Sequence, residues 1–355
     1  MNRQLQPRFN ARDMKAVQLL AHGSPGQFKF GDVPDPAPAA DEVVVRVRAC
    51  GVNHLDLWFE QGDLPTPVAL PRIGGSEAAG EILALGVDVD QWRVGDRVAV
   101  QSNLFCGTCE FCLRGEDSIC LNGKLLGIQC DGGFAEKVKV PARCLVALPE
   151  AVSFESSAAL TLAGSTAMHM LTDRAEVRVG DWVLVIGASS GVGSAAIQIA
   201  KQLGGRVIAT GSTPVKRELG QKLGAEFTVD SSKADWPAEV RKITNKRGVD
   251  LVIEHVGGVV LQSVFHCLAR GGTVVTCGAT GGREVPMQLW PFFVKQHRLI
   301  GSYGRNRGDL TATLEWAADG RLKPVIHQLI PLPGVSNAFE QLRSRQGLGK
   351  LVVKP

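Results

Sequence analysis

The 355-residue sequence has no apolar run that approaches the ~20 residues needed by a membrane-spanning helix. Aromatic residues make up only 6% of the chain, with a single tyrosine, which leaves little for a base-stacking surface. The formal net charge of +4 is too small and too evenly spread to indicate a nucleic-acid surface. We therefore expect a small-molecule substrate and no nucleic-acid or membrane partner.

The N-terminal segment also lacks the apolar stretch of a secretory signal, although it carries Arg3, Arg8 and Arg12. We predict that residues 1–13 form a disordered leader, because the first strand-like run begins at Met14. The nine cysteines are odd in number, whereas secreted disulfide frameworks are normally shorter and even-numbered. This usage favours a reducing cytoplasm.

The rest of the chain divides into a strand-rich part and a part in which strands alternate with helices. From Lys15 to about Val146, short β-branched runs bounded by glycine, proline and aspartate indicate strands. Ser153 then predicts a cap for one helix through the alanine-rich 157–171 stretch. Beyond it, apolar strands alternate with helices, which predicts a parallel, doubly wound sheet. The predicted strands are 182–186, 207–210, 251–254, 273–277 and 299–302, and the predicted helices are 192–203, 215–223, 260–268 and 309–319.

The turn 187–193, after the first parallel strand, has the features of a dinucleotide site. Its small residues let a pyrophosphate approach the backbone, and Ser190, Gly191 and Val192 begin a helix whose free N–H groups attract phosphate. The motif is not a strict G-x-G-x-x-G, because Ala188 and Ser190 replace two glycines. A tight structural turn is the alternative.

The loop after the second parallel strand favours NADPH over NADH. An NAD site has an acid there to accept hydrogen bonds from the ribose 2′-hydroxyl. This loop instead contains the hydroxyls of Ser212 and Thr213 and the cations Lys216 and Arg217, which suit a 2′-phosphate. The alternative is that both cations are solvated helix charges.

Four cysteines with the spacing C-x2-C-x2-C-x7-C predict a metal site: Cys106, Cys109, Cys112 and Cys120. A tetrahedral four-sulfur site binds zinc and leaves no open position for water. We therefore predict one structural Zn²⁺ per chain. A disulfide pair is disfavoured by the reducing compartment, and an iron–sulfur cluster by the lack of other electron-transfer features.

With these motifs, the chain from Met14 to Pro355 resembles the zinc-containing alcohol dehydrogenase and quinone oxidoreductase branches of the medium-chain dehydrogenases. The matching stretches are Cys50–Asp56, Gly74–Gly80, Gly95–Val98, the cysteine lobe, Ala163–Thr166 and the turn 187–193. The resemblance implies an α/β fold with a Rossmann domain at 153–303. It also implies a GroES-like catalytic domain, carrying the zinc lobe, at 14–152 and 304–355.

Further consequences of the resemblance concern assembly and pocket shape. Family Rossmann domains pair through the last sheet strand, which implies a homodimer or homotetramer formed through 299–302. The segments 58–70 and 287–293, which include Trp58, Trp290 and Phe293, are expected to shape an apolar substrate pocket.

The same resemblance implies that the catalytic zinc of alcohol dehydrogenases has been lost. Asn53, Ser76 and Leu162 stand where the family has its three zinc ligands, so no thiolate or imidazole remains there. The pattern resembles the quinone oxidoreductase branch, which uses NADPH without a catalytic zinc. It implies hydride transfer to a quinone, enone or other activated alkene, whose charge a hydrogen-bond donor stabilises.

The candidate catalytic residues are Asn53 and Ser76. Asn53 is a donor to the substrate carbonyl or, equally, an amide that stabilises its loop. Ser76 is either a hydrogen-bond donor to the substrate or a residue that only fills space. Glu77 is either an acid left over from a lost metal site or part of an altered one.

The remaining candidates contact the cofactor. By family position, His54 contacts the pyrophosphate and Thr166 the nicotinamide. Val256, Cys277 and Ala279 follow later strands, at the sheet edge where ligands bind. Lys350 is expected to reach a cofactor phosphate.

Two other functions stay open. The protein is an alcohol or aldehyde dehydrogenase if Cys50, His54, Asp56 or Glu77 supply an unconventional zinc site. It is a sensing or scaffolding protein if it binds NADPH without turnover.

Overall fold

The computed structural model describes residues 13–355. The predicted leader therefore lies outside the described residues except for Asp13, with which the first strand begins. The predicted fold class is confirmed, because a β-rich GroES-like part accompanies a parallel doubly wound sheet.

The β-rich part is built mainly from antiparallel strands. The largest of its sheets has the order β10-β6-β5-β3-β18-β17, with β9 also pairing along β3, and a smaller sheet has the order β2-β1-β4. Its strands up to residue 147 are β1 Asp13–Ala21, β2 Gln27–Pro34, β3 Glu42–Gly51, β4 Arg72–Ile73, β5 Glu77–Leu85, β6 Arg97–Val100, β7 Asn103–Leu104, β8 Lys124–Leu125, β9 Lys137–Pro141 and β10 Leu145–Ala147. Its helical segments are α1 His54–Gln61, α2 Glu110–Leu113 and the 3₁₀ turns Asp117–Ile119 and Ala142–Cys144.

The parallel sheet has the order β13-β12-β11-β14-β15-β16, and every pair in it is parallel. Its strands are β11 Trp182–Val185, β12 Arg206–Gly211, β13 Phe227–Asp230, β14 Val249–Glu254, β15 Leu268–Thr276 and β16 Arg298–Gly301. The accompanying helices are α3 Phe154–Leu160, α4 Ala163–Thr172, α5 Gly191–Gln202, α6 Pro214–Leu223, α7 Trp236–Ile243, α8 Gly258–Val264 and α9 Leu289–Val294. The strand order reverses between β11 and β14, which is where such sheets bind ligands.

Apolar side chains cover both faces of this sheet. Val183, Val185 and Ile253 pack toward α4 and α5, whereas Leu184 and Val252 pack toward α7 and α8. Burial on both faces explains why these strands are continuously apolar in the sequence.

The C-terminal segment returns to the β-rich part. Its elements are α10 Arg307–Ala318, β17 Ile326–Pro331, the 3₁₀ turn Leu332–Gly334, α11 Val335–Ser344 and β18 Lys350–Lys354. Strand β18 pairs parallel with β17 and antiparallel with β3. Gly349, just before β18, donates its N–H to Ser189 O at 2.8 Å, so the same segment also contacts the turn after β11.

Several parts of the element prediction differ from the structure. The single helix expected through 157–171 is two helices, α3 and α4, which are interrupted at residues 161–162. Helices α1, α7, α9 and α11 were not predicted. Strand β13 was also missed, because it is a four-residue edge strand with only one fully buried residue.

None of the helices within residues 13–355 is long and apolar enough to cross a bilayer.

Candidate functional site

The four predicted metal ligands come together in a lobe between β7 and β8. The Sγ–Sγ distances are 3.5 Å for Cys109–Cys112, 3.8 Å for Cys109–Cys120 and 3.9 Å for Cys106–Cys112. A tetrahedral zinc with Zn–S bonds of about 2.3 Å requires sulfurs about 3.8 Å apart. The thiols therefore have the spacing of a closed four-sulfur zinc site, and the cluster is consistent with the predicted structural zinc.

Backbone geometry favours a thiolate at Cys106 of this lobe. Gly107 and Gly115 have φ values of +79° and +80°, a conformation that side-chain-bearing residues rarely adopt. Cys106 Sγ accepts backbone N–H groups from Thr108 and Cys109 at 3.5 and 3.3 Å. These bonds, with that of Thr108 the largest effect, lower the pKa of Cys106 to about 5. At neutral pH this sulfur is therefore the thiolate that zinc requires.

The turn between β11 and α5 joins a strand to a helix N-terminus, as the sequence predicts. Gly187 has φ +71°, and Ser190 caps α5 by accepting the Gly193 N–H at 2.8 Å. The N–H groups of Gly191 and Val192 have no acceptor within residues 13–355, which leaves them for an anion. The predicted residues Ser190, Gly191 and Val192 thus form the N-terminus of a twelve-residue helix at the switch point of the sheet.

The loop after β12 places its candidate residues at the surface. Ser212 and Thr213 are exposed, and Thr213 Oγ1 caps α6 by accepting the Lys216 N–H at 3.4 Å. Arg217 forms an ion pair with Asp230 at 3.1 Å, so its charge is already partly compensated. Lys216 Nζ donates to Arg345 O at 2.7 Å and has no carboxylate partner between residues 13 and 355. Of the two predicted cations, Lys216 therefore fits a 2′-phosphate better.

Val256 and Ala279 lie together at the carboxyl edge of the sheet. The loops after β14 and β15 touch there, with Gly281 N–H donating to Val256 O and Gly282 N–H donating to Ala279 O at 3.2 Å. Cys277 directly follows β15, and burial raises the pKa of its thiol to about 12, so it is an inert thiol at this edge.

Beneath this edge lie two buried groups that the sequence analysis missed. Glu254 is fully buried and accepts hydrogen bonds from Val256 N, Gly257 N and Thr276 Oγ1 at 2.6–2.7 Å. His255 Nε2 lies 3.1 Å from Ser190 Oγ and 2.9 Å from Ile186 O. Glu254 thus fixes the loop after β14 to β15, and His255 fixes β14 to the nucleotide-binding turn.

A buried polar network occupies the place where the family resemblance puts a catalytic metal. Glu77 is fully buried, and its Oε2 contacts Lys350 Nζ at 2.6 Å and Asn53 Nδ2 at 2.9 Å. Its Oε1 accepts the backbone N–H groups of Leu162 and Ala163 at 2.5 and 3.2 Å. These two bonds explain the interruption between α3 and α4, because the carboxylate takes N–H groups at the helix break. Glu77 is thus an integral part of an altered site.

The contacts of Asn53 favour its interpretation as a loop-stabilising amide. Its Nδ2 donates to Glu77 and to Gly51 O at 3.5 Å, and its Oδ1 accepts from Lys350 Nζ at 2.5 Å. Both N–H groups of the amide are engaged, so Asn53 has no free donor for a substrate carbonyl.

The predicted contact between Lys350 and a cofactor phosphate also does not fit its surroundings. The ammonium group contacts Val52 O at 2.7 Å in addition to Asn53 and Glu77, which uses its three N–H groups. Its alkyl chain lies against Gly191, where an added Cβ would approach Lys350 Cδ to 2.7 Å. Lys350 therefore positions the nucleotide-binding turn rather than offering a free charge.

Ser76 and Thr166 are both buried near this network. The hydroxyl of Ser76 is fully buried and has no hydrogen-bond partner among the residues that the structure describes, while its backbone oxygen accepts from Ser102 Oγ. Thr166 lies in α4, where its N–H donates to Leu162 O at 2.9 Å. Ser76 consequently keeps the free donor that Asn53 lacks.

His54 is the first residue of α1 and is half-buried. Burial lowers the pKa of its imidazole to about 4, with smaller contributions from the charges of Arg345, His255 and Lys350. The ring is therefore neutral at pH 7 and would meet a pyrophosphate as a hydrogen-bond donor.

The groups around Glu77 do not fit a zinc ion. Within residues 13–355, the four lobe cysteines are the one group of three or more His, Cys, Asp or Glu with ligand atoms close enough for an ion. Cys50, His54, Asp56 and Glu77 do not form such a group, and burial holds the pKa of Cys50 far above its usual range. The donors around Glu77 are a lysine, an amide and two backbone N–H groups, which do not ligate zinc.

Sequence reasoning also missed Arg305, in the loop between β16 and α10. The residue is only 2% exposed, and its Nε and Nη2 have no hydrogen-bond partner in the described part of the chain. The available signal was an arginine in the short, glycine-rich segment 301–306 that follows the last parallel strand.

Comparisons with known proteins agree with this architecture. Residues 39–150 match the family model of the alcohol dehydrogenase GroES-like domain, and residues 191–319 match that of zinc-binding dehydrogenases. An alcohol dehydrogenase of Schizosaccharomyces pombe is 32% identical over 340 residues, covering 95% of this chain and 97% of the relative.

Two solved structures show the range of activities among its relatives. An NAD-dependent alcohol dehydrogenase superposes with a TM-score of 0.93 at 38% identity, covering 96% of this chain and 100% of the other. The 2-octenoyl-CoA carboxylase reductase CinF, solved in complex with NADP and 2-octenoyl-CoA, superposes with a TM-score of 0.88 at 26% identity, covering 96% and 87%. The chain is an oxidoreductase that belongs to the zinc-binding alcohol dehydrogenase family, within the medium-chain dehydrogenase/reductase superfamily.

Proposed function

We propose that the protein is an NADPH-dependent reductase that transfers hydride to a quinone, an enone or another activated alkene without a catalytic metal. The supporting observation is the network around Glu77, whose carboxylate is engaged by an ion pair with Lys350 and by three N–H donors and belongs to no cluster of three potential metal ligands within residues 13–355. Reduction of a simple carbonyl needs strong stabilisation of the alkoxide, whereas a conjugated acceptor delocalises the charge. Of the relatives, CinF carries a name that indicates an alkene-reducing activity.

The residues fit a phosphorylated dinucleotide. The α5 N-terminus at Gly191 and Val192 would hold the pyrophosphate, with neutral His54 as a further donor. Lys216 would bind the 2′-phosphate, in a loop without the carboxylate that an NAD site uses. Val256, Cys277, Ala279 and Thr166 would contact the nucleoside and nicotinamide parts. When bound, NADPH supplies the hydride.

One zinc in the cysteine lobe and a cytoplasmic location complete the proposal. Zinc there would be structural, since four sulfur ligands leave no position for water or substrate. The nine cysteines are all free thiols, which agrees with a reducing compartment.

The names of the relatives favour a second candidate, an alcohol dehydrogenase. That function requires a second metal held by ligands such as Cys50, His54, Asp56 or Glu77. Metal analysis of the purified protein distinguishes the two candidates. We expect about one zinc per chain in the wild type and almost none in Cys112→Ser, which lacks one of the four lobe ligands. Two zincs per chain with turnover of alcohols would replace our proposal by the second candidate.

A substrate panel completes the test. We expect NADPH oxidation with 2-cyclohexen-1-one and 1,4-benzoquinone, and little turnover of primary alcohols with NADP⁺. Tight NADPH binding without turnover of any enone, quinone or aldehyde would instead indicate the sensing role.

A further inference from the structure

Arg305 lies beside the segment that carries Ser76. Its backbone oxygen accepts from Gln101 Nε2 at 3.3 Å, and the preceding Gly304 packs against the side chain of Asn103. Between these two contacts, Ser102 Oγ donates to the backbone oxygen of Ser76. The loop that carries Arg305 is therefore fixed to the strand region next to one of the lost metal-ligand positions.

The guanidinium group of Arg305 lacks the partners that a buried charge normally has. Nε and Nη2 are fully covered without a hydrogen bond, and Arg305 forms no ion pair within residues 13–355. A buried cation without partners destabilises the folded protein, and a bound anion would offset that cost.

The electrostatic surroundings keep this arginine charged. Burial lowers the pKa of Arg305 to about 10, and the negative charge of Glu77 is the largest effect that opposes this shift. Arg305 thus remains a cation at neutral pH. The unpartnered Ser76 hydroxyl is a second buried donor in the same region.

We propose that Arg305 is the group that binds the carbonyl oxygen of the substrate and stabilises the negative charge that develops on it during hydride transfer. This inference rests on the proposed function and names the residue that does the electrostatic work for which zinc-dependent relatives use a metal. The substrate class is a compound whose carbonyl is conjugated to the alkene: an enone, a quinone or an α,β-unsaturated thioester. Ser76 is the second donor to the same oxygen.

The chemical step balances without a metal. A hydride from the reduced nicotinamide, which is thereby oxidised, forms a bond to the β-carbon of the substrate. The electron pair of the alkene moves to the α-carbon and carbonyl, so that an enolate oxygen forms opposite Arg305. A proton from water then adds to the α-carbon, and the substrate has gained two electrons and two hydrogens.

Arg305→Gln tests this assignment against Arg305→Lys and Arg241→Gln. Arg241 is a matched control because it is a partly buried arginine of α7 that bonds only to backbone oxygens, of Arg247 and Leu268. With NADPH and 2-cyclohexen-1-one, we expect Arg305→Gln to lose about 10²–10³-fold in kcat/KM, the usual effect of removing an oxyanion donor. Arg305→Lys should keep part of the activity, and Arg241→Gln all of it.

A spectroscopic readout separates oxyanion binding from a structural role. The enzyme is loaded with NADP⁺ and titrated with 4-nitrophenol, whose yellow phenolate mimics an enolate. A cation near the phenol oxygen should lower the pKa of the bound phenol by about 1–3. We expect this effect in the wild type and in Arg241→Gln, a weaker effect in Arg305→Lys, and none in Arg305→Gln.

The outcomes distinguish this inference from the proposed function. If the wild type reduces no enone or quinone but still ionises the bound phenol through Arg305, the proposed function fails and the oxyanion site stands. If Arg305→Gln keeps wild-type kcat/KM and the wild-type phenol pKa, Arg305 is a structural charge and the inference is overturned. Should Arg305→Gln not fold, as judged by thermal unfolding, Arg305→Lys decides the question: wild-type values for both readouts would overturn the inference.

Discussion

At the scale of single residues, His54 gives the protein a pH-dependent stability. Its pKa of about 4 in the folded protein lies below the value of about 6.5 for an unperturbed histidine. Between these values the unfolded chain binds a proton that the folded protein does not. The contribution to stability is therefore present above about pH 6.5 and is lost as pH falls toward 4.

We expect His54→Gln to remove this contribution. The measurement is the free energy of unfolding by urea between about pH 4.5 and pH 7.5, in which the variant should show a shallower decline toward acid than the wild type. His266→Gln is the control, since His266 is exposed on the protein surface. A wild-type pH dependence in His54→Gln would show that the neutral ring is not the source.

Lys216 offers the residue-scale test of cofactor choice. A charge-assisted contact with the 2′-phosphate contributes about 1.5–3 kcal/mol, so Lys216→Ala should weaken NADPH binding by about 10–100-fold and leave NADH binding unchanged. Cofactor fluorescence titration measures both dissociation constants, and Lys222→Ala, in the last turn of the same helix, is the control. An equal loss of affinity for NADPH and NADH would show that Lys216 does not contact the 2′-phosphate.

The residues of the site differ in how far sequence could predict them. The cysteine lobe and the 187–193 turn depend on neighbours close in the chain, and both have the predicted form. The donor role of Asn53 depends on Lys350, which is 297 positions away, and its amide is engaged there instead. Arg305 belongs to no motif, and its lack of partners is a property of the folded interior alone.

At the scale of elements, the cysteine lobe should depend on its metal. The segment between β7 and β8 contains only short helical turns, so zinc would supply most of its order. Cys112→Ser should reduce the zinc content from about one per chain to near zero and lower the melting temperature. Cys130→Ser, which removes a thiol outside the cluster, should change neither quantity; a wild-type melting temperature in Cys112→Ser would contradict the structural role.

The break between α3 and α4 shows how an element can be misjudged from local sequence. The alanine-rich stretch 157–171 favours a continuous helix, and its local propensities are satisfied on both sides of the break. The interruption comes from Glu77, which lies about eighty residues earlier and accepts the N–H groups at positions 162 and 163. A distant buried carboxylate thus overrides local helix propensity.

At the scale of the whole molecule, an exposed apolar surface lies at the edge of the parallel sheet. Helix α9 exposes Leu289, Trp290 and Phe293 by 66%, 73% and 56%, and the neighbouring strand β16 exposes Leu299. We predicted that 287–293 shapes the substrate pocket, but these side chains are at the surface, with Trp290 packed edge-on against Phe293. Such a patch, beside a strand whose outer edge is unpaired within residues 13–355, is typical of a self-association surface.

We therefore expect a homodimer, or a tetramer built from it, through α9 and β16. Trp290→Asp should shift the protein toward monomers in sedimentation velocity experiments, because it places a charge in the apolar surface. Val179→Asp is the control, since Val179 is 88% exposed outside this surface. An unchanged sedimentation coefficient for Trp290→Asp would exclude this face as the interface.

Strand β18 joins parts that are far apart in the sequence: it pairs with β3, its lysine contacts Glu77 and Asn53, and the preceding glycine binds the turn after β11. A chain emerging from the ribosome can complete neither the β-rich sheet nor the buried network until residues 349–354 have left the exit tunnel. Assembly of the buried network around Glu77 therefore has to wait for β18, and cleavage before residue 349 would disconnect Lys350 from it.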